Sequence, residues 1–532
     1  MGIFVSVEKT VECVVIAVFF AIAMLIISSK LLGILQSCGY GNKKFLKWLR
    51  KKNNMAFERL SLLALCSALS SAVLALCFSF AGSWASVISL AAYVIFFVLY
   101  AVADSKVALR TPATLTPRFK RLTAVVWLVY AIVAYLFVTL LNFADNVWGN
   151  AVFSCLKYVV LAILPLLIVP LICLANLMAK IYEVPKNASY IKKAKVKIKN
   201  SDVRVIGITG SYGKTSVKNI LTAMLQKKYR VLTTPRSHNT PMGLSLAINN
   251  NSLEEYDFFI AEMGARNVGD IAELCALCPP DYSIITGICP QHLESFVSLE
   301  NIVKAKGEII SATKKSCIIA SDCYDLFENF DADKIKCDCV KDVQSSSRGT
   351  RFRLCLGGEE REVSTKLLGE HSAQNIGICA QTAYLLGMTI DEIACAVADL
   401  QFVEHRLQLI ESNGVNIIDD GYNSNIKGAE RAIEVLNYFE GRKIAVTPGL
   451  VELGVLDEEE NTALGAKLVG LDYVILVGET LVGFVKNGYL AAGGDSQKLI
   501  VVPSLIAAQN ELKNIIKKGD TVLFLNDLPD IY

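Results

Sequence analysis

Five apolar runs crowd the first 180 residues: Cys13 to Ser29, Leu60 to Ala81, Trp84 to Ala103, Leu122 to Leu141, and a proline-containing run from about Ala151 to Leu177. Each is close to the ~20 residues a helix needs to cross a bilayer. The segments between them alternate sharply in charge. Lys43, Lys44, Lys47, Arg50, Lys51, Lys52 and Arg59 follow the first run, and Lys106, Arg110, Arg118, Lys120 and Arg121 follow the third. The turn at Gly82 and Ser83 and the segment Asn142 to Asn150 carry no Lys or Arg. Basic segments stay on the cytoplasmic side. The N-terminus is therefore expected outside, and an odd number of spans delivers Lys180 and everything after it to the cytoplasm. The flank of the first run (Glu8, Lys9, Glu12) is not basic and no A-x-A site follows, so it reads as a retained anchor and not a cleaved signal. Few charges fall inside the runs, which gives little support to an ion or proton pathway.

The overall charge of +3 points to no polyanionic partner such as nucleic acid, but it hides two unlike halves. Residues 1–200 hold 22 basic against 6 acidic side chains, and residues 201–532 hold 31 against 44. An apolar basic half joined to an acidic half of ordinary composition is a membrane part plus a soluble part. The 16 cysteines are scattered without regular spacing, which suits a reducing cytosolic face. Cys275 with Cys278, or Cys337 with Cys339, could form a zinc site, but neither has a second pair at a fixed distance; buried thiols are the simpler reading. The lysine ladder at 192, 193, 195, 197 and 199 reads as a basic juxtamembrane linker, against anionic headgroups or simply solvated.

From Arg204 the pattern changes to a short buried strand, Val205 to Gly210, then Ser211, Tyr212, Gly213, Lys214, Thr215 and Ser216, then an amphipathic helix, Val217 to Leu225. Strand, glycine loop and helix in that order make a phosphate site. Gly210 and Gly213 let backbone amides approach a phosphate, Lys214 can reach terminal phosphates, and the Thr215 hydroxyl can hold magnesium. The loop lacks the first glycine of the longer P-loop, Ile208 standing there, and so matches the shorter GxxGK[ST] form. A second strand, Tyr256 to Ala261, ends at Glu262, where a magnesium ligand belongs. A third, Tyr282 to Gly287, leads to His292, one of only four histidines and a candidate metal or phosphate ligand.

The ordered motifs resemble the Mur ligase family of ATP-dependent amide-forming enzymes. They are Gly210-Ser-Tyr-Gly-Lys-Thr-Ser216, Asn239-Thr-Pro-Met-Gly243, Glu262-Met-Gly-Ala265, His292-Leu-Glu294, Ala305-Lys-Gly-Glu308, His371 with Asn375, His405-Arg-Leu407, Asp419-Asp-Gly-Tyr-Asn-Ser-Asn425 and Pro448-Gly-Leu-Val-Glu-Leu-Gly454. Within the family they look most like the branch that adds D-alanyl-D-alanine. The resemblance implies that Lys214 and Thr215 hold ATP phosphates and magnesium, that Glu262 and His292 bind magnesium, and that Lys306 is a carbamylated lysine serving the metal. It also implies that Asn375 contacts adenine, that Arg406 and Asp420 contact the nucleotide from the C-terminal domain, and that Tyr422 and Asn423 line the same site. The chemistry implied is phosphorylation of a carboxylate to an acyl phosphate, which an amine then attacks. Charge neutralisation and positioning suffice for it, without a protein nucleophile.

The expected organisation is a multi-span α-helical membrane domain (1–180), the basic linker (181–202), a P-loop ATPase-type Mur ligase central domain (203–405) and a Rossmann-like α/β C-terminal domain (406–532). Strands are expected at Val415 to Ile418, Lys443 to Val446, Tyr473 to Val477, Leu499 to Val502 and Thr521 to Leu525, with ATP in the cleft between the domains. The Cys-rich segment Cys317 to Arg353 reads as an insertion. The family's usual N-terminal domain, which grips the UDP end of a soluble substrate, has no counterpart. The expectation is thus a multi-pass ligase of the bacterial plasma membrane, with cytoplasmic catalytic domains. Its substrates would be a soluble or lipid-linked cell-wall precursor and an amino acid or dipeptide, with membrane lipid around it. The alternatives are a ligase of the poly-γ-glutamate or folate type, and a nucleotide-dependent transport or scaffold protein.

Overall fold

The computed structural model describes residues 7–50, 95, 113–148, 164–235, 238–290, 293–421, 426–451 and 453–525. Contacts divide the chain into two compact units, one within Met1–Lys186 and one spanning Asn187–Leu528. Almost all of the expected runs Leu60 to Ala81 and Trp84 to Ala103 lies outside the described residues.

Among the described residues of the first unit, three helices are long and apolar enough to cross a membrane, with candidate spans Cys13–Ser37, Pro117–Leu140 and, beginning here, Ile168–Lys199. The first helix, Val7–Ser37, buries Ala21, Met24 and Leu35, and the helix Pro117–Trp148 buries Val126 and Ala134 in the same core. Each keeps an opposite stripe outward at helical spacing: Val11, Val15, Phe19, Ile22 and Ile26 on one, Leu128, Ile132, Leu136 and Leu140 on the other. Such continuous apolar stripes are unusual for a surface facing water. The basic segment after the first span is not a plain loop: Asn42–Leu49 is a short helix with Phe45 buried. Asn176 donates to the Tyr40 carbonyl at 3.0 Å and to Asn42 Oδ1 at 2.6 Å, and Arg121 donates to Glu183 at 2.6 Å. Pro165 falls in a 3-10 turn, Leu164–Leu167, and Pro170 in the first turn of the helix Ile168–Lys199, where a missing N–H costs little.

The lysine ladder, read above as a linker, is the last part of that same helix. Its apolar side explains why: Ala194 and Ile198 are buried in the core of the second unit, and Lys197 donates to the Asn251 carbonyl at 2.5 Å.

The second unit holds two large sheets. The first consists of β1 (Arg204–Thr209), β2 (Val231–Thr233), β3 (Phe258–Glu262), β4 (Tyr282–Ile285), β5 (Cys317–Ala320) and β6 (Lys334–Cys337). They are all parallel in the order β2-β3-β1-β4-β5-β6. β1 lies between β3 and β4, so connections leave it in both directions and a crevice opens at its carboxyl end. The register is what positions the site: Ile208 of β1 pairs with Glu262, the last residue of β3, and Thr209 pairs with Ile285.

The segment Cys317 to Arg353 is not an insertion. It supplies β5 and β6 of this sheet and then most of a three-stranded antiparallel sheet, β7 (Val340–Ser346), β8 (Gly349–Leu356) and β9 (Glu359–Thr365). Its polarity misleads because β6 is an edge strand and β7 to β9 are only half buried; in β8, Thr350, Phe352, Leu354 and Leu356 face inward at every second position.

The other large sheet runs β10 (Gln408–Ser412), β11 (Val415–Asp420), β15 (Thr521–Leu525), β12 (Lys443–Thr447), β13 (Tyr473–Val477), β14 (Leu499–Val502) in space. β10 is antiparallel to β11 and the other pairs are parallel. β10 and β11 close through Asn413 and Gly414, both with positive φ (52° and 79°), the tight hairpin turn favoured by Asn-Gly. Asp420, the last residue of β11, therefore stands at that sheet's carboxyl end.

Candidate active site

The glycine loop follows β1 directly. At Gly210 φ is 149°, and a Cβ there would come within 2.2 Å of Thr286 Oγ1, so no side chain fits where the loop passes the end of β4. The helix Lys214–Leu225 then starts at the loop, directing its first N–H groups at the crevice. Lys214 folds back to donate to the carbonyls of Gly210 (2.6 Å) and Ser211 (3.2 Å). Burial holds its pKa below the usual lysine value, while nearby Glu262 partly restores it.

Glu262 is 1% exposed, and three neighbours surround its carboxylate. Thr215 Oγ1 lies 3.2 and 3.3 Å from its oxygens, Asn239 Nδ2 donates at 3.2 Å, and Lys218 Nζ pairs with it at 3.2 Å. Lys218 is itself buried and also donates to the Thr234 carbonyl at 3.0 Å. Nothing in the sequence distinguishes Lys218 from a surface lysine on an amphipathic helix, and its part in the site emerges only from the fold. Asn239 opened a motif but carried no assigned role.

Lys306 lies on the helix Leu299–Ala312 at 3% exposure, whereas Lys304, two residues earlier, is exposed. Its ammonium lies 5.9 Å from the Phe296 ring centroid, and among the described residues it has no hydrogen bond or ion pair. Burial first, and then the charge of Lys214, push its pKa well below the ordinary value. Glu308 of the same motif serves the backbone, accepting from the amides of Gly269 (2.6 Å) and Ala272 (2.9 Å) at the start of the helix Asp270–Leu277.

Lys214, Thr215, Glu262 and Lys306 all line one cavity of about 560 Å³. Gly213, Ser211 and Ser216 of the loop join them, and Asn375, from the helix Glu370–Leu385, completes the wall on this side. His371 shares that wall; burial and the charge of Arg431 hold its imidazole down to about 3.

The C-terminal domain closes the other side with Arg406, just before β10, Asp420 at the end of β11, and Arg431 on the helix Ile426–Asn437. Arg406 is held by a strained backbone, for His405 and Leu407 on either side have φ of 58° and 44°. His405 Nδ1 meets Asp419 Oδ2 at 2.7 Å, and the Leu407 amide donates to Asp420 Oδ1 at 3.2 Å. The carboxyl of Asp420 is raised to about 7 by burial, against the lowering influence of Arg406. Arg431 was not foreseen from the sequence. His292, Tyr422 and Asn423 lie outside the described residues.

The cysteine pairs are core thiols. Cys275, Cys278, Cys337 and Cys339 are buried, and Cys337 and Cys339 have sulfurs 3.8 Å apart. Among the described residues no cluster of three or more His, Cys, Asp or Glu side chains could hold a metal ion.

Comparison with known proteins explains this arrangement. Residues 208–383 match the Mur ligase middle domain, and residues 405–526 match the Mur ligase glutamate ligase domain. The UDP-N-acetylmuramoyl-tripeptide–D-alanyl-D-alanine ligase of Escherichia coli K12 is 30% identical over 336 residues, which is 59% of this chain and 74% of that protein. The chain belongs to the Mur ligase family. The ligase of the same name from Bacillus subtilis 168 is 30% identical over 348 residues, 62% of this chain and 74% of its own. Among solved structures, the MurF ligase of Thermotoga maritima in complex with ADP superposes with a TM-score of 0.59 at 29% identity, covering 65% of this chain and 81% of that one. As a Mur ligase, the protein is an ATP-dependent, ADP-forming enzyme that joins an acid to an amine, and its cavity lies between the middle and C-terminal domains that the family shares.

Proposed function

We propose that this Mur ligase is a membrane-anchored, MurF-like enzyme that forms an amide bond on a peptidoglycan precursor through an acyl phosphate. The observation that carries the reading is the convergence of Lys214, Thr215, Glu262 and Lys306 on one cavity, faced by Arg406 and Asp420. By analogy with the E. coli and B. subtilis ligases, the acid is a muramoyl tripeptide, soluble or lipid-linked, and the amine is D-alanyl-D-alanine.

A substrate carboxylate oxygen attacks the γ-phosphorus of ATP, the bond to the β-phosphate oxygen breaks, and ADP leaves. The neutral amine then attacks the acyl carbon, phosphate departs, and the nitrogen loses its proton to form the amide. Lys214 and the loop amides offset charge on the transferring oxygens, while Asn375, Arg406 and Asp420 orient the nucleotide. Ser216 lines the same cavity, and the family resemblance assigns Tyr422 and Asn423 to that site as well. Magnesium suits the donor set, since the Thr215 hydroxyl and the Glu262 carboxylate are hard oxygens side by side; the family resemblance offers His292 as a further ligand. When bound, it supplies positive charge at the phosphates. Lys306 is suited to carbamylation: a buried amine whose pKa burial holds well below the ordinary value is neutral part of the time, and the neutral amine is the form that adds carbon dioxide.

Membrane anchoring is supported by three long apolar helices among the described residues and by their outward stripes. The basic segments support a cytoplasmic position for the catalytic domains, at the plasma membrane. The C-terminal domain is read as Rossmann-like on the strength of its five parallel strands with intervening helices.

The test is the full-length chain in lipid nanodiscs with ATP, magnesium, D-alanyl-D-alanine and either the UDP-linked or the lipid-linked tripeptide. ADP should appear only when acid and amine are both present, with a new amide by mass spectrometry. ADP release indifferent to the amine would end the ligase reading. Lys306→Ala should lose turnover and regain part of it with added formate or acetate.

A further inference from the structure

Tyr212 is the one aromatic residue of the Gly210–Ser216 loop, and the chemistry above gives it no task. Its position is nonetheless held from several directions. Its carbonyl accepts from Thr286 Oγ1, and its ring occupies the space over Gly287, where a Cβ would come within 2.2 Å of the Tyr212 Cζ. Its hydroxyl donates to Asp322 Oδ2 at 2.5 Å, in the turn after β5. Against the ring stand two cations from the helix Ile426–Asn437 of the C-terminal domain: the Arg431 guanidinium at 4.9 Å from the centroid and the Lys427 ammonium at 5.4 Å. Lys427 also lies 3.8 Å from Asp322, so one carboxylate ties both the phenol and the lysine. Arg431 reaches Gln374 at 3.5 Å as well, and it lines the cavity.

We infer that Tyr212 is a positioning residue, latching the C-terminal domain over the phosphate loop through Asp322, Lys427 and Arg431. The latch joins the two halves of the site at their roots. Tyr212 is two residues before Lys214, and the helix bearing its cationic partners starts six residues after Asp420. Holding that helix on the loop brings Arg406 and Asp420 to the same cavity as Lys214. Cations over an aromatic face bind weakly enough to release, so the latch can open for product and close on nucleotide. The inference rests on the ligase reading for what the latch serves, not for whether it exists.

The experiment uses the full chain with a fluorophore on each of the two catalytic domains, read by energy transfer with and without a non-hydrolysable ATP analogue. ADP affinity by calorimetry and kcat with KM for ATP are measured in parallel. Tyr212→Ala and Arg431→Gln should each shift the pair toward the separated signal and lower kcat about tenfold, the order a lost cation–aromatic contact supports. ADP affinity should change less than about threefold, because Lys214, Thr215 and the loop amides remain. Tyr212→Phe keeps the ring and loses only the bond to Asp322, so it should recover most of the turnover. Arg431→Gln leaves the loop intact and thereby separates a latch from simple loop collapse. Unchanged energy transfer in both variants would overturn the latch, and so would ADP affinity falling as far as turnover. A wild-type chain that closes on nucleotide but makes no amide would overturn the ligase reading and leave the latch standing.

Discussion

The two six-stranded sheets of the catalytic unit end their parallel strands differently. Where β1 and β3 finish, the central sheet buries an ionised group of side chains: Glu262 with Lys218, Thr215 and Asn239 around it. Where β12 finishes, the C-terminal sheet buries a neutral amide. Asn461, fully buried, donates to the carbonyls of Leu450 (2.9 Å) and Asp457 (2.8 Å) and accepts from the Leu450 amide at 2.8 Å. An amide of that kind completes a loop and costs little to bury once all its bonds are made. A buried carboxylate with a buried ammonium is a poor way to gain stability, because desolvation offsets most of the attraction. Such a pair is expected where a ligand requires the charge, and the cavity lies beside this one.

If that contrast is right, substitutions at the two strand ends should fail in different ways. The largest effect belongs to Lys214→Ala, which should lower kcat by about a hundredfold to a thousandfold with little change in unfolding midpoint, since it removes charge offset from the transferring phosphoryl group. Steady-state kinetics beside chemical denaturation checks it. Next comes Lys218→Met, which strands the Glu262 carboxylate and should destabilise the catalytic unit by about 3 kcal/mol while also weakening manganese binding measured by paramagnetic resonance. If Lys218→Met were as stable as the wild type, Glu262 would not need its partner and the contrast would fail. Asn461→Ala should cost about 1 to 3 kcal/mol in denaturant while KM for ATP stays put, because it frees a loop amide and touches no cavity charge.

The last effect concerns His371 and shows only on acidification. Its folded imidazole stays neutral down to about 3, whereas the unfolded side chain takes a proton near its ordinary 6.5. The unfolded state then binds more protons, so stability from this group is full above about 6.5 and is lost as pH falls toward 3. His371→Gln should flatten that part of a melting-temperature profile, and an unaltered slope would mean that the imidazole is not sequestered.

Much of this was legible in the sequence, for physical reasons that can be named. The glycine loop between a buried strand and a helix announces itself, and β13, β14 and β15 occupy the expected residues because each is a short apolar run bounded by polar residues or glycine. Glu262 was readable as the carboxylate ending an apolar strand. Lys306 was readable through family resemblance alone, since Lys304 and Lys306 look alike until the helix packs and buries only one of them. Lys218 and Arg431 gave no signal, because their roles depend on which neighbours three-dimensional packing supplies. The β7 to β9 sheet was hidden by its half-exposed composition, although the alternation of Thr350, Phe352, Leu354 and Leu356 was there to be counted. The β10–β11 hairpin carried its Asn413-Gly414 turn openly.

The pairing of Ile208 with Glu262 behaves as an address written in backbone hydrogen bonds. Because side chains alternate faces along a strand, sliding β3 by a single residue would turn the carboxylate to the opposite side of the sheet, away from Thr215 altogether. The location of the acid is thus discrete, with no intermediate settings. Loops around it can lengthen, shorten or be exchanged without disturbing it, so long as the ladder keeps its count.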